Sequence, residues 1–254
     1  MRGLRGKRIV IAGGATGIGA ATAERLAEEG ASVVVGDLSL PVAEATAKRI
    51  AEGGGTAVAV YFHLADERSV QALIDRAVAE LGGLDGLFNV GANVPDAVPD
   101  RDADLLGMDP EIWRRTFEVN LLGYRLACRA AVPQLLAAGG GAIVNCSSGA
   151  AWSGLPVLPA YSTSKAGVNA LTRHIASRWG REGVRCNAVA PGRVVTESLQ
   201  RQGTPAPQPG HDIRSTRFGR PADIAATVAL LLSDDGEWGN GQTWSVCGGA
   251  SLRE

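Results

Sequence analysis

A tyrosine and a lysine four positions apart form the pattern with the most definite chemistry in this sequence. Tyr161 and Lys165 lie at the start of a segment with helical periodicity, so their side chains share one face of the predicted helix. A free phenol is a poor base at neutral pH, because moving its pKa from ~10 to about 7 requires roughly 4 kcal/mol. An ammonium at ~4 Å supplies about 4 kcal/mol at an effective dielectric constant of about 20. The pair therefore predicts proton exchange between Tyr161 and a hydroxyl or carbonyl group.

A glycine-rich segment near the N-terminus has the composition of a phosphate-binding turn. It lies between an apolar strand and a helix, and it reads Gly13-Gly14-Ala15-Thr16-Gly17-Ile18-Gly19. Glycines allow a tight turn and the close approach of a ligand, and a helix N-terminus presents unpaired N–H groups. The G-x-x-x-G-x-G spacing differs from the usual G-x-G-x-x-G fingerprint of dinucleotide sites. The segment predicts a pyrophosphate site.

An aspartate supports a dinucleotide ligand. Asp37 ends the second predicted strand, 18 residues after Gly19. A carboxylate at this place can accept hydrogen bonds from the hydroxyls of the adenosine ribose. It would repel the additional phosphate of NADP, and its neighbours Gly36, Leu38 and Ser39 carry no positive charge. We therefore predict NAD rather than NADP as the cofactor.

The composition excludes several classes of function. The 254 residues carry a formal net charge of −1, which gives no electrostatic footprint for nucleic acid or an anionic membrane. The four cysteines form no C-x-x-C pair and the histidines have no ligand spacing, so we predict no disulfide framework and no metal site. The basic N-terminus and the 35 uncharged residues at 130–164 imitate a signal peptide and a membrane span, but glycines interrupt both. We expect a cytoplasmic protein.

Apolar segments of strand length alternate with segments of helical period along the whole chain. The predicted strands are Arg8–Ala12, Ala31–Asp37, Thr56–His63, Leu84–Asn89, Ala142–Ser147, Val184–Ala190 and Thr243–Cys247. The predicted helices are Ile18–Glu29, Pro41–Glu52, Glu67–Leu81, Pro110–Leu136, Ala160–Arg181 and Pro221–Ser233. This alternation predicts an α/β protein with a doubly wound Rossmann fold, in which about seven parallel strands carry helices on both faces. We expect residues 1–254 to form a single domain.

Several motifs occur in the order and at the spacings of the short-chain dehydrogenase/reductase family, which the chain resembles from about Lys7 to Gly249. They are the glycine segment 13–19, Asn120, Ser147-Ser148, Tyr161-Ser-Thr-Ser-Lys165 and Pro191-Gly192. The resemblance implies that Tyr161 is the general acid/base and that Ser148 hydrogen-bonds the substrate oxygen. It implies that Lys165 holds the nicotinamide ribose and lowers the tyrosine pKa. Asn120 resembles the family's asparagine that orients a water in a proton relay to Lys165.

The same resemblance implies a larger set of contacts with NAD. These are Gly13, Thr16, Gly17, Ile18, Gly19, Asp37, Leu38, His63, Leu64, Asn89, Val90, Gly91, Tyr161, Lys165, Pro191, Gly192, Val194 and Thr196. The chain departs from the family pattern at three places. Ala12 replaces the usual threonine, and Val90 and Gly91 alter the usual Asn-Asn-Ala-Gly. His63 stands where the family has an aspartate beside the adenine, so its contact with adenine is left open.

The substrate pocket is expected above the nicotinamide, at the carboxyl ends of the strands. Its predicted borders are residues 92–100, 149–159 and 197–218, of which the last is either a functional lid or a mobile surface insertion. Trp152, Leu155 and Val157 predict an apolar wall. Three arginines are candidates for binding an anionic substrate: Arg193, Arg214 and Arg217.

The predicted activity is NAD-dependent hydride transfer between nicotinamide and a small secondary alcohol or ketone. A 3-oxoacyl-thioester reductase using NAD(P)H is an alternative, against which Asp37 argues. A non-catalytic NAD-binding regulator is a third interpretation, which the complete set of Asn120, Ser148, Tyr161 and Lys165 disfavours. The family resemblance also implies a homotetramer, or a homodimer, with residues 110–136 and 160–181 at one interface.

Overall fold

Seven parallel strands form one sheet in the order β3-β2-β1-β4-β5-β6-β7. The computed structural model describes residues 1–93, 104–196 and 213–252. The strands are β1 (Arg8–Ala12), β2 (Ser32–Asp37), β3 (Thr56–Tyr61), β4 (Gly86–Asn89), β5 (Gly141–Cys146), β6 (Val184–Pro191) and β7 (Thr243–Val246). Each strand begins and ends within two residues of its predicted bounds. The predicted doubly wound α/β fold is confirmed.

Helices cover both faces of the sheet. In the described residues they are α1 (Gly17–Glu28), α2 (Leu40–Glu52), α3 (Glu67–Leu81), α4 (Pro110–Phe117), α5 (Tyr124–Ala137), α6 (Pro159–Trp179) and α7 (Pro221–Leu232). Alternate residues of a strand point to opposite faces. Val10 of β1 therefore belongs to the core under α3, α5 and α6, whereas Ile11 belongs to the core with α1, α2 and α7. Burial on both faces explains why the strand sequences are apolar without alternation.

The segment predicted as one helix, Pro110–Leu136, consists of three parts. Helix α4 ends at Phe117, Glu118–Gly123 forms a π-helical turn, and α5 begins at Tyr124. A π turn inserts an additional residue into the helical path and so rotates the face that the following residues present. Asn120 within the turn and Tyr124 after it are both fully buried.

The carboxyl ends of β1 and β4 form the crevice of the fold. Strand β1 pairs with β2 on one side and with β4 on the other, so Ala12 lies between Gly36 and Asn89. The strand order reverses at this place, which is where ligands bind in open α/β sheets. The residues predicted to contact the dinucleotide therefore meet at one edge of the sheet.

The long uncharged segment 130–164 is divided among several elements. It includes most of α5, β5, a 3₁₀ turn at Gly149–Ala151 and the first turns of α6. Over the described ranges, no helix combines the length and the apolarity that crossing a bilayer requires.

An ion pair fastens the starts of β1 and β4. Arg8 donates from Nε and Nη2 to the two carboxylate oxygens of Asp85, both at 2.7 Å, and its backbone N–H donates to the same carboxylate at 2.9 Å. Burial raises the pKa of Asp85, but the hydrogen bonds and charge of Arg8 outweigh this and lower it. We expect Asp85→Asn to lower the free energy of unfolding at neutral pH by about 2 kcal/mol, the size of a hydrogen bond to a charged group.

The loss of unfolding free energy in Asp85→Asn should be smaller at acidic pH. A carboxylate whose pKa is lowered by folding stabilises the protein above its unfolded value of ~3.9, and the contribution is lost as the pH falls through the folded value. Urea unfolding of both proteins between about pH 7 and pH 3 measures the difference. Asp75→Asn, which changes an exposed carboxylate on α3, is the control. A loss of stability that is the same at every pH would contradict the assignment.

Candidate active site

The glycine segment after β1 packs backbone against backbone. Gly13 has a φ of 102°, which side chains disfavour. A Cβ at Gly13 would lie 2.3 Å from the amide nitrogen of Gly91, the second residue after β4. A Cβ at Gly19 would lie 2.0 Å from the carbonyl oxygen of Gly13. Only residues without side chains allow the start of α1 to lie this close to the end of the sheet, and the result is an open cradle of backbone groups.

The N-terminus of α1 faces this cradle. Among the described residues, the side chain of Thr16 at the N-cap finds no capping hydrogen bond. The first N–H groups of α1 are therefore left for a ligand, and they lie at the positive end of the helix dipole. A Cβ at Gly17 would lie 3.4 Å from Cγ2 of Thr196, while Ile18 is partly buried on the adjoining core. The structure thus brings residues 16–19 and Thr196 together, and these donors fit a pyrophosphate group.

Asp37 lies at the end of β2, beside the glycine segment. Its Oδ2 accepts a hydrogen bond from the N–H of Ala15 at 3.0 Å, and its Oδ1 accepts one from the N–H of Ser39 at 3.1 Å. A carboxylate has about four acceptor positions, so about two remain for ribose hydroxyls. Leu38 follows with 59% of its side chain exposed. Asp37 therefore hydrogen-bonds the glycine segment and keeps acceptor positions that fit the hydroxyls of a ribose.

His63 and Leu64 follow β3. The backbone N–H of His63 donates to Oγ of Ser69 at 2.8 Å, which fixes the start of the turn before α3. Nδ1 of His63 is buried and has no hydrogen-bond partner in the described part of the chain. Leu64 is buried, and a Cβ at Gly91 would lie 3.5 Å from its Cδ2. The structure places both residues at the carboxyl edge of the sheet and leaves the contact of His63 with adenine a prediction.

Asn89 is fully buried, and its side chain is directed toward the neighbouring strand β5. Its amide nitrogen donates to Oδ1 of Asn145 at 2.9 Å, and Asn145 donates to Oγ1 of Thr172 at 3.0 Å. The N–H groups of Val90 and Gly91 both donate to the carbonyl of Ala12, at 2.9 and 2.8 Å. The side-chain amide of Asn89 thus ties β4 to β5. A contact between Asn89 and a ribose stays a prediction.

Lys165 is buried beside Tyr161 on α6. Its side chain is 1% exposed, and Nζ donates to the carbonyl of Cys146 at 2.8 Å and to the hydroxyl of Tyr124 at 3.4 Å. Nζ lies 5.8 Å from the centroid of the Tyr161 ring. The structure brings the predicted pair together but adds a second tyrosine, Tyr124, that the sequence did not identify.

The geometry distinguishes the two serines after β5. The side chain of Ser148 is hydrogen-bonded to that of Tyr161, and its Oγ also accepts from the N–H of Ala150 at 3.2 Å. The hydroxyl of Ser147 donates instead to the backbone carbonyl of Lys165 at 3.3 Å. Ser148 therefore lies beside Tyr161, as its spacing to that residue predicts, while Ser147 is hydrogen-bonded to the backbone of α6.

Burial dominates the electrostatics of the Tyr161–Lys165 pair. Burial, followed by the electrostatic effect of Cys146 when its thiol ionises, raises the pKa of Tyr161 to about 12, although the hydrogen bond of Ser148 acts in the opposite direction. Burial also lowers the pKa of Lys165. Removal of the phenol from water therefore dominates the pKa of Tyr161 in the chain alone. The expectation that Lys165 lowers this pKa stays a prediction.

Asn120 holds the segment that follows β4. Its Oδ1 accepts from the N–H of Asn93 at 2.7 Å, and its Nδ2 donates to the carbonyl of Asn93 at 3.0 Å and to Oγ of Ser164 at 3.4 Å. Ser164 donates in turn to the carbonyl of Tyr161 at 2.7 Å. The side chain of Asn120 thus links the border of the pocket to α6. The relay through Asn120 to Lys165 stays a prediction.

The predicted substrate residues lie in two parts of the chain: Trp152 and Leu155 follow β5, whereas Arg193 and Arg217 follow β6. Trp152 donates from Nε1 to Oγ of Ser251 at 3.2 Å, and Leu155 is 44% exposed in the same loop. Arg217 forms a two-point ion pair with Asp223, at 2.6 and 2.8 Å, and the Arg193 guanidinium lies 5.4 Å from the Phe218 ring centroid.

Arg217 is therefore already neutralised, which argues against its predicted contact with an anionic substrate. Residues 94–100 and 197–212 of the predicted borders lie outside the described residues.

The segment after β6 lies against the end of β7. Pro191 pairs with Val246, and a Cβ at Gly192 would lie 2.7 Å from Cα of Cys247. Val194 forms an isolated bridge with Gly219 and packs on the core that contains α1. Residues 191–196 thus run from β6 toward the glycine segment, along the path expected of a strip that covers a nicotinamide.

Known proteins resemble this chain over most of its length. A family model described as enoyl-(acyl carrier protein) reductase matches residues 13–251. A probable short-chain type dehydrogenase/reductase of Bradyrhizobium diazoefficiens is 42% identical, over 96% of this chain and 87% of that protein. The cis-4-hydroxycyclohexanecarboxylate dehydrogenase of Sinomonas cyclohexanicum is 41% identical, over 94% of each chain.

A solved structure shows the same architecture. The crystal structure of a dehydrogenase/reductase from Sinorhizobium meliloti aligns with a TM-score of 0.87 and 32% identity, over 98% of this chain and 97% of that one. The chain belongs to the short-chain dehydrogenase/reductase family, which makes it an oxidoreductase of the nicotinamide-dependent kind.

Proposed function

We propose that this protein is an NAD-dependent oxidoreductase that interconverts a secondary alcohol and a ketone, with Tyr161 as the general acid/base. The observation that carries the proposal is the buried group at the start of α6, in which the Tyr161 side chain hydrogen-bonds Ser148 and has the Lys165 ammonium 5.8 Å from its ring. A phenol in this setting can exchange a proton with a substrate oxygen that Ser148 also contacts.

Different residues of the chain have separate roles in the proposed reaction. In oxidation, Tyr161 takes the proton of the substrate hydroxyl and Ser148 hydrogen-bonds the substrate oxygen; in reduction, Tyr161 returns the proton. Lys165 and Tyr161 hold the ribose beside the nicotinamide, and the backbone of residues 13–19 holds the pyrophosphate. Val90, Gly91 and the strip 191–196 line the cofactor between them. NAD⁺, when bound, supplies the hydride acceptor and a positive charge.

A bound cofactor would add to the electrostatics at Tyr161. In the chain alone, burial raises the pKa of Tyr161 to about 12. A positive charge near a phenol favours its ionised form, and the oxidised nicotinamide has this sign. This favours proton removal in the complex with NAD⁺ over proton removal in the free protein.

Asp37 is proposed to select NAD over NADP. We expect Asp37→Ala to lower kcat/KM with NAD about tenfold, because a hydrogen bond to a charged group contributes ~1.5–3 kcal/mol. Activity with NADP should rise, because the repulsion of its phosphate is removed. Initial rates with both cofactors measure the ratio.

Asp37→Asn is the matched variant, because an amide oxygen can still accept from Ala15. It should relax the discrimination against NADP while keeping the loop in place. A ratio of NAD to NADP activity that is unchanged in both variants would refute this role of Asp37.

The substrate is proposed to be a compact cyclic secondary alcohol. One relative that covers nearly the whole chain is a cis-4-hydroxycyclohexanecarboxylate dehydrogenase, and the loop with Trp152 and Leu155 offers an apolar wall. A fluorescence screen for NADH formation with cyclohexanol, its 4-carboxylate, hydroxysteroids and sugar alcohols tests this. Equal kcat/KM for the neutral and carboxylate-bearing rings would argue against an arginine contact, whereas no turnover of any secondary alcohol would refute the proposed activity.

A thioester reductase is the second candidate. The matching family model carries the description enoyl-(acyl carrier protein) reductase, so enoyl and 3-oxoacyl thioesters belong in the same screen with NADH and NADPH. Consumption of NADH with a thioester, and none with ketones, would favour it. Binding of NAD without turnover of any substrate would favour a regulator.

The assembly and environment are proposed on the family resemblance. We propose a homotetramer, or a homodimer, in the cytoplasm, with α4, α5 and α6 at one interface. Leu122, in the π turn between α4 and α5, is 51% exposed. Light scattering at micromolar concentration tests the assembly, and a monomer would contradict it. The proposal of a lid at residues 197–218 concerns mostly residues outside the described ranges.

A further inference from the structure

Tyr124 lies against the ammonium of Lys165, although no motif assigns it a role. It is the first residue of α5 and is fully buried. Nζ of Lys165 donates to its hydroxyl at 3.4 Å and lies 4.8 Å from its ring centroid, against 5.8 Å for the ring of Tyr161. Nζ of Lys165 is therefore closer to the ring of Tyr124 than to the ring of Tyr161.

The hydroxyl of Tyr124 is oriented by a backbone carbonyl. It donates to the carbonyl of Cys146 at 3.4 Å, and Lys165 donates to the same oxygen at 2.8 Å. With its own proton directed to Cys146, the phenol oxygen presents a lone pair to the ammonium. A buried ammonium is costly without such partners, and an acceptor together with an aromatic face reduces that cost.

We propose that Tyr124 is a positioning residue, which seats the Lys165 ammonium beside Tyr161 and keeps it charged there. This inference rests on the proposed function, in which Lys165 favours the phenolate of Tyr161. The π turn at Glu118–Gly123 gives it a structural basis, because the rotation that the turn introduces sets the direction in which the first residue of α5 points.

The other titratable groups around Lys165 are neutral at neutral pH. Burial raises the pKa of the Tyr161 phenol on α6 and of the Tyr124 phenol on α5, and it raises the pKa of the Cys146 thiol on β5 and of the Cys128 thiol on α5. Lys165 is therefore the one group in this described cluster whose ionised form carries a positive charge. A change in its protonation is transmitted to Tyr161.

Tyr124→Phe separates the hydroxyl from the packing, because the ring stays in place. Lys165 then loses an acceptor that favours its charged form, and the phenolate of Tyr161 becomes less favoured. We expect the midpoint of kcat/KM for alcohol oxidation against pH, at saturating NAD⁺, to rise by about half a pH unit or more. Activity below the midpoint should fall about threefold, with a nearly unchanged plateau at high pH.

Tyr61→Phe is the matched control, because it removes a phenol that is 51% exposed at the end of β3. Its pH profile should equal that of the wild type. Thermal unfolding and NADH fluorescence titration check that Tyr124→Phe folds and binds the cofactor. A loss by the same factor at every pH would assign Tyr124 a purely structural role and overturn the proposal, as would an unshifted profile.

A second readout needs no turnover. The chain has three tyrosines, so Tyr61→Phe together with Tyr124→Phe leaves Tyr161 as the one phenol. Its ionisation, followed by phenolate absorbance in the NAD⁺ complex, should require a higher pH than the first ionisation in Tyr61→Phe alone. Equal midpoints would overturn the proposal even in a protein without activity, whereas a wild type that oxidises no alcohol would refute the proposed function alone.

Discussion

Tyr161→Phe is expected to lower kcat for alcohol oxidation by about 10³-fold, within the range of general acid–base catalysis. The change removes the hydroxyl that is hydrogen-bonded to Ser148 and leaves the ring that faces Lys165. Most of the proposed cofactor contacts, including the backbone of residues 13–19 and the side chain of Lys165, are unchanged. The dissociation constant for NADH should therefore stay close to that of the wild type, although Tyr161 loses its own hydroxyl contact with the ribose. Steady-state rates and NADH fluorescence titration measure the two quantities separately.

Tyr61→Phe again serves as the control, since its ring is exposed and lies at the end of β3, away from α6. It should retain full activity. If Tyr161→Phe kept kcat within about tenfold of the wild type, proton transfer would have to be assigned to another group. If NADH affinity fell together with kcat, the loss would report a damaged cofactor site instead.

Much of the fold was predictable because the signals for its elements are local. Helix α3 has its predicted bounds: Asp66 caps its start by accepting from the N–H groups of Arg68 and Ser69, and Gly82 ends it with a φ of 76°. Both residue types are typical of these positions, so the bounds can be recognised without tertiary information. Strand β1 is similarly bounded by Lys7 and by the glycine segment.

The π turn before α5 was not predictable in the same way. The residues of Glu118–Gly123 fit an ordinary helix as well, and the additional residue becomes favourable only when Asn120 packs against Asn93 and Ser164. Tyr124 was missed for that reason, because its direction depends on the turn. A phenol directly after Asn-Leu-Leu-Gly was the one signal that could have drawn attention to it.

The sequence predicted where the candidate site residues lie in the fold better than it predicted which groups their side chains contact. Spacing alone separated Ser148 from Ser147, and the structure agrees with that choice. Spacing could not show that Arg217 forms an ion pair with Asp223. Nor could it show that the buried side chain of Asn89 is hydrogen-bonded to Asn145. The pKa of Tyr161 depends on its burial, which is a property of the packed elements around it and not of the motif.

Gly13→Ala is expected to weaken NADH binding by about 100-fold and to lower the free energy of unfolding by about 2–3 kcal/mol. Two effects combine at this position. The φ of 102° disfavours a side chain, and the new Cβ would lie 2.3 Å from the nitrogen and 2.4 Å from the Cα of Gly91. Both contacts are backbone atoms, so the loops after β1 and β4 must separate, and the N–H groups proposed to bind the pyrophosphate move with them.

Gly54→Ala isolates the conformational part of this effect. Gly54 has a φ of 83° in the turn before β3, and a Cβ there would have no heavy atom within 4 Å among the described residues. The variant should lose about 1 kcal/mol of stability and keep its NADH affinity. Urea unfolding and NADH titration of both variants therefore distinguish strain from collision. If Gly13→Ala bound NADH as tightly as Gly54→Ala, the close approach of the two loops would not be what shapes the phosphate site.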